Sequence, residues 1–125
     1  MRAYERLLKY VSVYTTSDPD SATVPSSMRQ YDLANILVDE LKALGLENVH
    51  VDENGVVYGW LSATAGCEQK PALGFIAHLD TAPDCSGENV KPQIIEHYDG
   101  GDVLLAGSGE TLSTAAFPGL KKLIG

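Results

Sequence analysis

The chain has 125 residues, 44% of them apolar, and a formal net charge of −8. That length accommodates one compact domain with a modest core, or part of a larger one, and the apolar content suits a globular chain rather than a disordered one. Its acidity, with an isoelectric point near 4.6 and only Lys121 and Lys122 adjacent among the basic residues, argues against nucleic acid and against anionic membrane surfaces as partners.

The opening "MRAYERLLKY" mixes charges with apolar residues and has no continuous apolar stretch, so it reads as neither a secretory signal nor a membrane anchor. Tyr4, Leu7, Leu8 and Val11 recur at helical spacing, which predicts an amphipathic helix over residues 2–14. Pro19 and Pro25 then break the pattern in a polar run. Ser27 and Gln30 have the spacing of a capping box and predict a second helix. Leu33, Leu37, Leu41 and Leu44 line one face of it, and Gly45 is its natural stop.

"NVHVDENGVVYGWL", residues 48–61, alternates on both sides of Asn54-Gly55 and predicts a β-hairpin. Residues 62–71 are a polar connection. "ALGFIAH", residues 72–78, is a short apolar run bounded by turn residues, which suits a strand buried on both faces. Further on, "NVKPQIIEHY" suggests a strand with Pro92 on an edge, Gly100-Gly101 a turn, and "DVLLA" another short strand. Phe117, Leu120 and Ile124 form a final helical stripe, with Pro118 tolerable only near its start. Helices and strands interleave, so the fold class expected is α/β, a mixed sheet flanked by helices.

The candidate chemistry is at the end of the apolar run, in "HLDTAPD". Side chains two apart on a strand point the same way, so His78 and Asp80 share one side at the strand's carboxyl end, where α/β sheets commonly place ligands. Imidazole is a frequent zinc ligand whose second nitrogen donates to a carboxylate or carbonyl. His78 would be the ligand and Asp80 the acid that orients it. A hydrogen-bonded pair that merely ends a strand explains the same two residues, and a metal site needs further ligands that no spacing here supplies. His50 reads as a strand residue of the hairpin and His97 as part of a solvated turn. Cys67 and Cys85 allow a disulfide on parity alone, but the better expectation is reduced thiols in a cytoplasmic protein. Cys85 lacks the surroundings of a thiol nucleophile, and "GSGE" at 107–110 makes no phosphate-binding pattern.

These same residues resemble the peptidase T family, tripeptide aminopeptidases of the dinuclear-zinc peptidase clan. "GFIAHLDTAPDCSGENVKPQI" is similar to the family's first metal-ligand segment, "GGDVLLAGSGETLS" continues it, and "YVSVYTTSD" with "VPSS" resembles its opening. The resemblance implies that His78 is a terminal zinc ligand, that Asp80 orients its imidazole, and that Thr81 to Gly87 shape the loop beside two zinc ions. It implies hydrolysis of the N-terminal peptide bond of a tripeptide, and it leaves homo-oligomerisation open. The family's bridging aspartate, paired glutamates, next aspartate and distal histidine have no counterpart in residues 1–125. Nor does its lid domain. The chain therefore reads as the N-terminal part of a zinc-aminopeptidase-like catalytic domain, inactive alone. The alternatives are a non-catalytic folding or interaction module and a related zinc dipeptidase or amidohydrolase.

Overall fold

A computed structural model describes all residues from Met1 to Gly125. The chain divides into two compact units, Met1–Val90 and Lys91–Gly125. The first contains helix α1 (Ala3–Tyr10), helix α2 (Gln30–Ala43) and strands β1 (Glu47–Val51) and β2 (Val57–Trp60).

Helix α1 is shorter than its apolar stripe suggests, and that stripe is only partly covered: Tyr4 and Leu7 remain exposed. A polar face holds the helix instead. Arg6 Nη1 donates to Glu40 Oε2 at 2.8 Å, Lys9 Nζ to Glu40 Oε1 at 2.6 Å, and the Tyr10 hydroxyl also donates to Glu40. Residues three and four apart on one helix thus converge on a single carboxylate of the next. These bonds hold the Glu40 carboxyl down at about 2, the Lys9 bond contributing most and the Tyr10 bond next.

Helix α2 begins without the capping box expected at Ser27 and Gln30. Ser27 accepts instead through its carbonyl, from Gln30 N at 3.1 Å, while its hydroxyl takes a bond from Arg29 Nε. The expected stop at Gly45 forms: Gly45 is left-handed, Leu46 N–H bonds Leu41 O and Gly45 N–H bonds Lys42 O. That is the two-bond closure that satisfies the last carbonyls of a helix. Leu33 and Ala34 are the buried apolar residues of the unit.

The predicted hairpin is present. β1 and β2 pair antiparallel, His50 opposite Tyr58 and Val51 opposite Val57, with a bulge between Glu47 and His50. Its turn is built on Asp52, whose carboxylate accepts from Asn54 N at 2.9 Å and Val56 N at 2.8 Å. The Val56 bond, more than any other interaction, lowers the Asp52 carboxyl from its ordinary range. Gly55 takes the positive φ that the loop requires. One face of the hairpin packs toward α2, so closely that a Cβ on Gly59 would lie 2.9 Å from Leu46 Cδ2 and 3.5 Å from Leu41 Cδ1. On the other face His50 stacks on Tyr58 with ring centroids 5.2 Å apart.

The run at 72–78 differs from expectation. It forms no strand and is not buried: Leu73 is 79% exposed, Phe75 89% and Ile76 102%. A buried strand needs a ladder partner on at least one edge and cover on both faces. Here β1 and β2 pair only with each other, and only an isolated parallel bridge, Thr16 to Thr81, follows the run. The single mixed sheet is accordingly replaced by separate antiparallel hairpins, and the α/β class holds in that coarser form.

The expected strand at 89–98, which spans the boundary of the two units in sequence, is absent. "DVLLA" supplies β3 (Val103–Leu104), paired antiparallel with β4 (Thr111–Leu112). "GSGE" is their connecting turn, with Gly109 left-handed and its N–H on Leu105 O. Asp102 accepts from Thr114 N at 2.7 Å and from its hydroxyl at 2.9 Å. The final stripe becomes a 3₁₀ helix, Pro118–Leu123, with proline in its first turn. No helix of the protein is long and apolar enough to cross a membrane.

Candidate metal-ligand site

The structure brings His78 and Asp80 together. His78 Nδ1 lies 3.1 Å from Asp80 Oδ1, so the ring donates through Nδ1–H when that tautomer is present. The imidazole is 82% exposed and the carboxylate 39%. With Nδ1 engaged, Nε2 is left as a free, solvent-facing lone pair, the arrangement in which imidazole binds a metal. The pair forms although the regular strand does not.

Thr81, directly after Asp80, fixes the segment. Its carbonyl accepts from Ser17 N at 3.1 Å and from Ser17 Oγ at 3.2 Å, and its hydroxyl lies 2.9 Å from Thr16 Oγ1. Thr15 and Thr16 are buried where the chain leaves α1. The loop after Thr81 closes onto the same point: a Cβ on Gly87 would lie 2.5 Å from Thr16 Oγ1 and 3.0 Å from Thr81 Oγ1. Hydrophobic periodicity does not signal Thr16 or Ser17, because their partner is some 65 positions away in sequence. The one sequence cue is the glycine at 87.

The remaining candidates are elsewhere. His50 Nδ1 faces Asn48 O at 2.8 Å within the hairpin, and His97 is an exposed left-handed residue of the second unit. Cys67 and Cys85 are both free and exposed. No group of three or more His, Cys, Asp or Glu side chains converges as a metal ion requires. The residues present fit one zinc ligand and its orienting acid; they do not make up a donor set that holds zinc.

His78 and Asp80 thus form an exposed imidazole–carboxylate pair with one ring nitrogen free. Comparison with known proteins shows what the chain is similar to. No family model matches the chain. Curated relatives do: it is 53% identical over 121 residues to Peptidase T of Aliivibrio fischeri, covering 97% of this chain and 29% of the relative. To Peptidase T of Caldanaerobacter subterraneus subsp. tengcongensis it is 53% identical over 125 residues, 99% of this chain and 30% of the relative. To that of Geobacillus thermodenitrificans it is 57% identical over 101 residues, 81% and 24%. The resemblance to peptidase T read from the sequence thus holds over nearly the whole chain, which spans about three tenths of the length of these first two relatives.

Proposed function

We propose that this chain carries the first metal-ligand segment of a zinc-dependent tripeptide aminopeptidase. One observation carries the reading: in a stretch similar to Peptidase T, His78 and Asp80 pair at 3.1 Å with the outer imidazole nitrogen left free. In this reading His78 would be one zinc ligand and Asp80 would hold its tautomer and ring plane. Zinc, when bound, would supply Lewis acidity and an activated water for hydrolysis of the first peptide bond of a tripeptide. In this reading residues 1–125 would supply only part of the ligand set, and the chain alone is expected to be inactive. The reading extends to a two-zinc centre, a catalytic domain of zinc-aminopeptidase type and a cytoplasmic setting.

A second reading, a folding or interaction module without catalysis, draws on the absence of any convergent set of three donors. One experiment separates the two. This chain replaces the similar stretch of the Aliivibrio fischeri Peptidase T, and tripeptide hydrolysis is measured with zinc present. The enzyme reading expects an active chimera that loses turnover with His78→Ala, while the isolated chain shows none. A folded chimera as active with His78→Ala as without it would overturn that reading.

A further inference from the structure

We infer that Thr16 is a positioning residue for the His78–Asp80 pair, acting through Thr81; the inference rests on the reading of His78 as a metal ligand. A ligand pair is useful only if its backbone is held, and regular secondary structure does not hold this one. Residues 71–80 belong to no helix or strand. All the hydrogen bonds that tie residues 71–90 to the rest of the first unit run through Thr81: one from Ser17 N, one from Ser17 Oγ and one shared with Thr16 Oγ1. The backbone bond from Ser17 sets where Thr81 lies along the chain. The hydroxyl pair sets its rotation, and so the direction in which the adjacent Asp80 side chain leaves the backbone.

Burial makes Thr16 the fixed half of this clamp. It is only 7% exposed, and the preceding Tyr14 ring lies beneath the Arg29 guanidinium, whose central carbon is 4.1 Å from the ring centroid. That contact ties the segment to the start of α2. Gly87 completes the clamp from the other side. Its φ is not in the left-handed region, so the glycine is there for space: any side chain would collide with the Thr16 and Thr81 hydroxyls. The loop therefore leaves and returns at one point, with His78 and Asp80 immediately before it.

The test uses the 125-residue chain and reads the tautomer of the His78 ring by nitrogen NMR at mildly alkaline pH. Zinc affinity is then measured near neutral pH in the chimera with the Aliivibrio fischeri Peptidase T. In the unaltered chain the Nδ1–H tautomer is expected to be enriched. Thr16→Val keeps the shape and removes the hydroxyl; Gly87→Ala forces the clamp apart. Both should shift the ring toward the Nε2–H form and weaken zinc binding at His78 about threefold to tenfold, somewhat below the about 10–100-fold typical of a direct outer-shell partner. Thr16→Ser should restore both.

An unchanged tautomer in Thr16→Val and Gly87→Ala would overturn the inference. So would Thr16→Ser failing as completely as Thr16→Val, or a loss of ring signature only in proportion to unfolding of the whole unit. The metal-free tautomer reading keeps the two ideas separable: a tautomer that responds as expected, with a chimera whose zinc affinity is unchanged by His78→Ala, supports the clamp and counts against the ligand reading.

Discussion

Replacing Ile76 by serine tests the most consequential feature of the first unit. A strand with both faces packed would bury Ile76, and removing it would cost about 2–5 kcal/mol from lost transfer energy and the cavity left behind. In the structure Ile76 is fully exposed and Phe75 nearly so, which leaves almost no contact to lose. The expected change is within about 0.5 kcal/mol, that of an ordinary surface site. Leu33→Ala in the buried face of α2 supplies the contrast, at about 2–5 kcal/mol. Urea unfolding followed by the helical circular dichroism of α2 measures both on one scale. A loss of about 2 kcal/mol or more for Ile76→Ser, with an unchanged denaturant slope, would refute the exposed conformation of residues 72–76. The same run, apolar and unpaired, has the character of a strand edge that recruits other chains. Ile76→Lys should accordingly reduce self-association in sedimentation at high protein concentration.

Three other outcomes are expected. The Glu40 carboxyl ionises at about 2 in the folded chain against about 4.5 when free, so its contribution is complete above the free value and is lost as pH falls through the folded one. Thermal melts between pH 5 and pH 2 should show that loss, and Glu40→Gln should flatten it. Gly59→Ala places a methyl 2.9 Å from Leu46 Cδ2 and should cost about 1–3 kcal/mol by overpacking, read from the urea midpoint. In the chimera with the Aliivibrio fischeri Peptidase T, Asp80→Ala should lower zinc affinity or tripeptide turnover about 10–100-fold while leaving the melting temperature almost unchanged, since its one side-chain partner is the exposed imidazole. A melting shift as large as that of Leu33→Ala would make Asp80 structural instead.

Elements that complete themselves within a few residues were legible in the sequence. The β1–β2 hairpin is closed by Asp52 and Gly55 within its own turn, and α2 ends on Gly45 through bonds to its own last carbonyls. Periodicity and turn chemistry report such local closures directly. The capping box at Ser27 failed because its two residues are committed elsewhere: the Ser27 hydroxyl to Arg29, the Gln30 amide to Ser26. The run at 72–78 failed for a deeper reason. Its composition reports the environment that a strand would need, whereas its conformation depends on what lies alongside it. Among residues 1–125 no strand does so.

The candidate site divides along the same line. His78 and Asp80 are two residues apart, so their pairing is a local matter, and the 3.1 Å contact forms without the strand. What holds their backbone is a contact across the first unit, from Thr16 and Ser17 in the segment between α1 and α2 to Thr81. Such a contact leaves no periodic trace, because a threonine that positions a loop and a threonine that solvates one are written identically. Only Gly87 hints at it, and only once the space it vacates is seen to be filled by the Thr16 and Thr81 hydroxyls. The chemistry of the pair is therefore local, and its orientation is inherited from the segment between α1 and α2, which shares no motif with it. Substitutions at Thr16 and Gly87 should for that reason act on His78 without touching it.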